Sequence, residues 1–263
     1  MRSLAARRRH PLASLAVLLI ALLATGGAYA ALAPTSGRAE ASSSAQALGV
    51  VEDGRELFLA NCATCHGINS EGTSDGPSLV GVGAASVDFQ VGTGRMPLQQ
   101  PGPQAPPGQP LFDEDQIRAM AAYIASLAPG PAIPSEEQTD YREGDIAEGG
   151  EIFRTNCSMC HNYAGAGGAL TRGKYAPSLY DVSPKHIYEA MVTGPQSMPV
   201  FSDTQLPEED KKSVIAYLKS IEDEPSPGLK LGSIGPVGEG LFVWVVGIGA
   251  LVACAVWLGA KSK

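Results

Sequence analysis

Two pentapeptides of the form Cys-x-x-Cys-His, Cys62-Ala63-Thr64-Cys65-His66 and Cys157-Ser158-Met159-Cys160-His161, constrain this chain more than any other feature. Two thiols three positions apart on one helical turn can each form a thioether to a porphyrin vinyl group, and the next histidine then faces the iron. With 5 Cys and 4 His among 263 residues, random placement produces one such motif about once in a thousand chains, so two by accident are excluded. The pattern predicts two covalently bound haem c groups: Cys62 and Cys65 attach the first, Cys157 and Cys160 the second, and His66 and His161 ligate the irons. A zinc ribbon would bring its second Cys pair roughly 15–20 residues after the first, whereas 91 residues separate Cys65 from Cys157. A thioredoxin-like thiol site belongs in a βαβ pattern, and no β-branched strand run flanks either motif.

The opposite face of each iron decides what such a centre does, because a second protein ligand closes it to small molecules and leaves electron transfer. Met96-Pro97 lies 30 residues after His66 and Met198-Pro199 lies 37 after His161, each in a Gly/Thr-containing loop. Proline stiffens the chain just beyond the sulfur that must be presented. Met96 and Met198 are therefore the expected axial ligands, while Met120, Met159 and Met191 read as packing. His186 is the one competitor, since a bis-His haem would have a lower potential. It has no counterpart in the first half and reads as a helix-start or surface residue.

Laying the halves on each other reveals a tandem duplication. Glu56-Leu57-Phe58 recurs as Glu151-Ile152-Phe153, Pro77-Ser78-Leu79 as Pro177-Ser178-Leu179, and Tyr123-Ile124-Ala125-Ser126-Leu127 as Tyr217-Leu218-Lys219-Ser220-Ile221. Only loop lengths changed, as expected of repeated folded units. Each unit reads as helix, Cys-x-x-Cys-His, loop, short helix, Met-Pro loop, helix, with no convincing alternating strand. The last helix of the first unit opens with Asp113 and Gln116 at capping-box spacing and carries Ile117, Met120, Ala121, Ile124 and Leu127 on one face. Its equivalent opens Pro207-Glu208-Glu209-Asp210 and carries Val214, Tyr217, Leu218 and Ile221. The expectation is a mainly α chain: domains at 51–128 and 146–222, linkers at 34–50, 129–145 and 223–240, and membrane segments at the ends. At about 78 and 77 residues, such domains need the haem as a staple.

Leu241 to Ala260 is a run of twenty uncharged residues, long enough as a helix for a ~30 Å hydrocarbon core. Trp244 and Trp257 lie toward its ends, and Lys261 and Lys263 follow it, which predicts a cytoplasmic C-terminus. Residues 1–33 read as a signal sequence or a second anchor: Arg7-Arg8-Arg9 precedes an apolar stretch, and Ala28-Tyr29-Ala30 resembles a cleavage site. Either way residues 34–240 face outward. They hold all 27 Asp and Glu but 13 of the 19 Lys and Arg, a net −14, which excludes nucleic acid as a partner. Cys254 falls within the C-terminal apolar run as a packing residue, so no disulfide is expected. Between Pro97 and Pro110 stand six prolines in 14 residues. That segment cannot be helical and is either a solvated loop or a docking surface.

Two tandem motifs with terminal anchors, read with Gly76-Pro77-Ser78-Leu79, Phe89-Gln90-Val91-Gly92-Thr93-Gly94-Arg95-Met96-Pro97, Gly173-Lys174-Tyr175-Ala176-Pro177 and Thr193-Gly194-Pro195-Gln196-Ser197-Met198-Pro199, carry a family resemblance. The chain resembles the dihaem cytochrome c subunit of the actinobacterial-type cytochrome bcc complex, a menaquinol:cytochrome c oxidoreductase. The resemblance implies class I cytochrome c domains in which the carbonyls of Pro77 and Pro177 orient the histidines. It also implies a retained N-terminal helix, and electron passage from a Rieske iron–sulfur protein to an aa-type cytochrome c oxidase. The implied partners are those two proteins and cytochrome b, in a dimeric membrane supercomplex. A stand-alone dihaem carrier would share the tandem but lack the anchor, and a dihaem peroxidase would need one iron without its methionine.

Overall fold

The computed structural model describes residues 11–32, 36–100, 102–223 and 236–260. Arg7-Arg8-Arg9, Lys261, Lys263, Pro101 and most of the 223–240 linker lie outside the described residues. The chain divides into two units, residues 1–49 and 50–263. In the first, α1 (Pro11–Leu32) carries a stretch, Leu12–Tyr29, long and apolar enough to cross a membrane. The helix α2 spans Ser36–Asn61 and so occupies most of the stretch read as the 34–50 linker. Its alanines favour helix over coil.

Within the second unit, the first cytochrome-like domain is built from the end of α2, α3 (Ala63–His66), α4 (Ala84–Gly92) and α5 (Glu114–Leu127). The second uses α6 (Glu136–Thr139), α7 (Ile146–Asn156), α8 (Ser158–His161), α9 (Pro184–Thr193) and α10 (Glu208–Asp223), and is followed by α11 (Pro236–Ala260). The second also contains a strand pair that the sequence did not announce. β1 (Gly168–Ala169) and β2 (Tyr175–Ala176) pair antiparallel, Gly168 opposite Ala176. Two residues per strand are too few to show an alternating pattern.

Local chemistry explains the helix ends. Asp113 accepts a hydrogen bond from the Gln116 amide at 2.9 Å while the Gln116 side chain accepts from the Asp113 amide at 3.1 Å, the predicted capping box. Asp145 accepts from the amides of Ala147 and Glu148 at the start of α7, and Ser183 accepts from His186 before Pro184 enters α9.

Each domain has its own core where its first and last helices cross. Phe58, Val87, Val91, Ile117, Met120, Tyr123 and Ile124 form one, with Cys62 and Met96 packed against it. Phe153, Ile187, Tyr188, Met191, Val214, Ile215 and Leu218 form the other, with Cys157 and Met198 against it. A glycine permits each crossing: a Cβ on Gly54 would collide with the carbonyl of Ala119, and a Cβ on Gly149 with that of Ser213. Tilted aromatic pairs repeat as well, Phe58 with Tyr123 at 5.4 Å and Phe153 with Tyr217 at 5.5 Å between ring centroids.

The two domains meet directly. α4 packs against α9, and the proline-rich segment resolves as a docking element. Gln104 donates to the carbonyl of Tyr175 at 2.8 Å and accepts from its amide at 2.9 Å. Gln196 returns the arrangement, donating to the Ala105 carbonyl and accepting from the Ala105 amide, both at 3.1 Å. Prolines cannot form ladder bonds themselves, so two glutamines supply strand-like pairing across the junction.

Candidate functional site

Backbone turns bring each motif's cysteines and histidine onto one short helix. His66 and Cys65 amides both bond the Cys62 carbonyl, and His161 and Cys160 amides both bond that of Cys157. The loop that follows then folds back: Gly72 N–H donates to the His66 carbonyl at 2.7 Å, Gly167 N–H to that of His161 at 2.9 Å. Both glycines sit at positive φ, 88° and 83°, a conformation that admits glycine without strain. This return sets the proline carbonyls under the rings. His66 Nδ1 lies 2.8 Å from the Pro77 carbonyl, and His161 Nδ1 lies 3.0 Å from that of Pro177.

A carbonyl only accepts, so each Nδ1 carries the proton and Nε2 is left bare as a metal-binding nitrogen. Burial lowers the pKa of His161, keeping the ring neutral against the opposing pull of the Pro177 carbonyl. The thiols point the same way. Burial, then the neighbouring Cys65, raises Cys62 to about 11, and burial, then Cys160, raises Cys157 to about 11. A thiol redox site lowers that value to create thiolate. None of the five cysteines forms a disulfide, and the two pairs stay in separate domains.

In the second domain Cys157, Cys160, His161 and Met198 line a single cavity of about 510 Å³, within the range of sites that enclose a cofactor. Its wall is otherwise largely apolar, and the sulfur and the imidazole both reach it, so these residues fit a covalently held haem. In the first domain Cys62, Met96, Leu79 and Val82 each pack against the buried core, while His66 holds the same carbonyl contact as its repeat partner.

The structure corrects three expectations, the first being Met159, which was read as packing and is 85% exposed between the two motif cysteines. His186 starts α9 as expected, but it is no surface residue. It is half-buried at the domain junction, edge-on to Phe89 with ring centroids 6.1 Å apart. Cys254 lies exposed along α11 rather than packed against protein. Sequence reasoning also missed that the second cavity is partly walled by the first domain, through Phe89, Thr93, Arg95, Gln104 and Pro107. Arg95 stacks over the Phe89 ring at 4.8 Å. Phe89 and Arg95 belong to a string that carried the family resemblance, but nothing local to it announces a contact about a hundred residues away.

Fold and motifs together define the class: a c-type cytochrome built of two cytochrome c domains that covalently bind haem c. A family model for cytochrome c matches residues 51–128, and one for cytochrome C oxidase, cbb3-type, subunit III matches residues 144–218. The chain is 45% identical over 263 residues to the cytochrome bc1 complex cytochrome c subunit of Mycobacterium tuberculosis, covering 97% of this chain and 93% of the relative. The subunits of the same name from Corynebacterium efficiens and Corynebacterium diphtheriae are 44% and 43% identical over 270 residues, covering 97% of this chain and 90% and 95% of theirs. This chain belongs to the family of cytochrome bc1 complex cytochrome c subunits. It is thus an electron-transport protein of the respiratory chain, and among the described residues Leu12–Tyr29 and Gly238–Ala260 are the two stretches long and apolar enough to anchor it.

Proposed function

We propose that the chain holds two haem c groups, Cys62, Cys65, His66 and Met96 serving one and Cys157, Cys160, His161 and Met198 the other, and relays single electrons inside a quinol:cytochrome c oxidoreductase. The donor is a Rieske iron–sulfur centre and the acceptor an aa-type cytochrome c oxidase, with cytochrome b as the membrane partner. The convergence of Cys157, Cys160, His161 and Met198 on one cavity carries this reading. When bound, the haem supplies a one-electron couple, and the protein's part is placement and tuning.

Each residue has a physical task. The cysteines would hold the macrocycle, the Pro77 and Pro177 carbonyls orient the imidazoles that would ligate the iron, and the sulfurs of Met96 and Met198 would complete its ligand set and favour the reduced state. Phe153, Leu179 and Phe201 line the second site with apolar surface. No general acid, base or nucleophile is required of the chain. Docking through Gln104 and Gln196 holds the two sites in one frame, which suits transfer between them without a diffusing carrier. Both apolar helices are retained as anchors, the termini are cytoplasmic, and the haem domains lie on the outer face.

Purification from membranes in mild detergent tests the whole reading. Two haems per chain by pyridine haemochrome, a near-infrared sulfur-to-iron band lost stepwise in Met96→Ala and Met198→Ala, and co-elution with cytochrome b, a Rieske protein and a haem–copper oxidase are expected. A colourless polypeptide, or a wild-type centre that freely binds carbon monoxide, overturns it.

A further inference from the structure

Where α4 meets α9, three side chains of metal-binding type converge. A carboxylate oxygen of Asp88, a ring nitrogen of His186 and a carboxylate oxygen of Glu189 all lie within 4.8 Å of one another. Glu189 is fully buried and Asp88 is 5% exposed. Among the described residues no donor reaches either oxygen of Glu189, and an unpartnered buried carboxylate is among the costliest groups a fold can hold. Lys185 pairs with Asp88 at 2.6 Å, answering the Asp88 carboxylate but not that of Glu189.

We propose that Asp88, His186 and Glu189 form a divalent transition-metal site, of the zinc type, that clamps the two domains together. The donor set selects the metal: one imidazole with two carboxylates suits Zn²⁺, whereas Mg²⁺ and Ca²⁺ favour oxygen alone. Zinc bonds of ~2.0–2.2 Å place tetrahedral ligands about 3.4 Å apart, so ligand atoms now up to 4.8 Å apart close in by as much as about 1.4 Å through side-chain rotation, leaving a fourth position for a water. His186 Nε2 faces α4, lying 3.5 Å from where a Cβ on Gly92 would stand. Lys185, whose side chain is 43% exposed, is the competing cation and swings into solvent when the metal enters.

One ligand comes from α4 and two from α9, so binding ties the domains where Phe89 and Arg95 wall the second cavity. His186 also lines that cavity. A divalent charge at this point stabilises the reduced form of a neighbouring redox centre by simple Coulomb attraction, and by linkage reduction tightens the metal. The metal site stands on its own geometry, apart from how haem is held.

Isothermal titration of ZnCl₂ into the detergent-purified full-length holoprotein, stripped beforehand with EDTA, is the test. One Zn²⁺ per chain is expected, with affinity at least tenfold weaker in Glu189→Gln and His186→Gln and tighter in Lys185→Ala. Haem content measured on the same samples shows whether each variant is folded. Lys185→Ala removes only a half-exposed side chain, so its gain remains readable if the buried substitutions misfold. An upward shift of one haem potential on adding Zn²⁺ is the second expected readout. Absence of stoichiometric binding to the wild type, binding that ignores all three substitutions, or mere uptake of a proton shared by the two carboxylates would each overturn the assignment.

Discussion

The two cytochrome domains are the same machine with different surroundings. Gly54 and Gly149 permit the same helix crossing, Phe58–Tyr123 and Phe153–Tyr217 fill the same place, and Pro77 and Pro177 aim the same imidazole. They diverge at Ile117 and its repeat partner Lys211. Ile117 is an ordinary core residue, while Lys211 is fully buried and donates to Asp203 at 2.7 Å and to the Leu206 carbonyl at 2.6 Å. They diverge again at the junction, where the first domain lends its side chains to the wall of the second cavity. Elements that serve the cofactor are repeated, and elements that serve the neighbour are not.

Removing the cofactor attachments probes the shared part hardest. Cys62→Ala/Cys65→Ala should leave the first domain largely unfolded and protease-sensitive while the second keeps its haem, because a domain this small depends on its staple. A cooperative, protease-resistant first domain lacking haem would break the equivalence with other small stapled folds. Next in size, Gly54→Val and Gly149→Val should each destabilise their own domain by about 3 kcal/mol, since the backbones must separate. Thermal melts followed at each haem would read it, and a large effect in only one domain would show that the crossings are not equivalent.

The Ile117 and Lys211 contrast yields a third comparison. Lys211→Met should change stability by no more than ~1 kcal/mol, because its ammonium is buried while Asp203 stays 80% exposed and solvated, and a buried charge is often replaceable by an apolar side chain. Ile117→Lys should cost about 3 kcal/mol, because the residue standing where Asp203 stands in the repeat is Gln109. Equal melting points for the two variants would remove the distinction. A smaller loss, about 1–2 kcal/mol, is expected for Gln104→Ala/Gln196→Ala, seen as faster hydrogen exchange at Ala105 and Tyr175 with both cores unchanged.

The junction also predicts a pH dependence in chelator. Burial, then the Asp88 charge and the hydrogen bond a protonated Glu189 donates to Asp88, raises Glu189 to about 9, against the opposing pull of Lys185. Lys185 on α9 and Asp88 on the first-domain side act on it directly, while His186, lowered mainly by burial, stands within 4.8 Å and itself feels Lys185, Asp88 and Arg95. Since the folded state then holds the proton that the unfolded chain has released, stability falls as pH rises from about 4.5 to about 9. Glu189→Gln should flatten that slope in denaturant titrations, and an unchanged slope would remove Glu189 as its source.

Much of this was legible in the residues because its causes are local. Cys-x-x-Cys-His fixes the attachment chemistry within one helical turn, Asp113 with Gln116 fixes a helix start, and an apolar stripe fixes which face of α5 is buried. The repeat then implies a second copy of whatever the first forms. Lys211 was not legible, since nothing in Glu209-Asp210-Lys211-Lys212 tells which charge turns inward.

Only the tertiary structure could decide that the proline-rich segment docks through Gln104 and Gln196, that Arg95 reaches the second cavity, and that Asp88 meets His186 and Glu189. Those pairs stand 71 to 101 residues apart in the chain. Their meeting depends on how two finished domains pack, a free energy summed over many weak contacts that leaves no periodic trace in sequence.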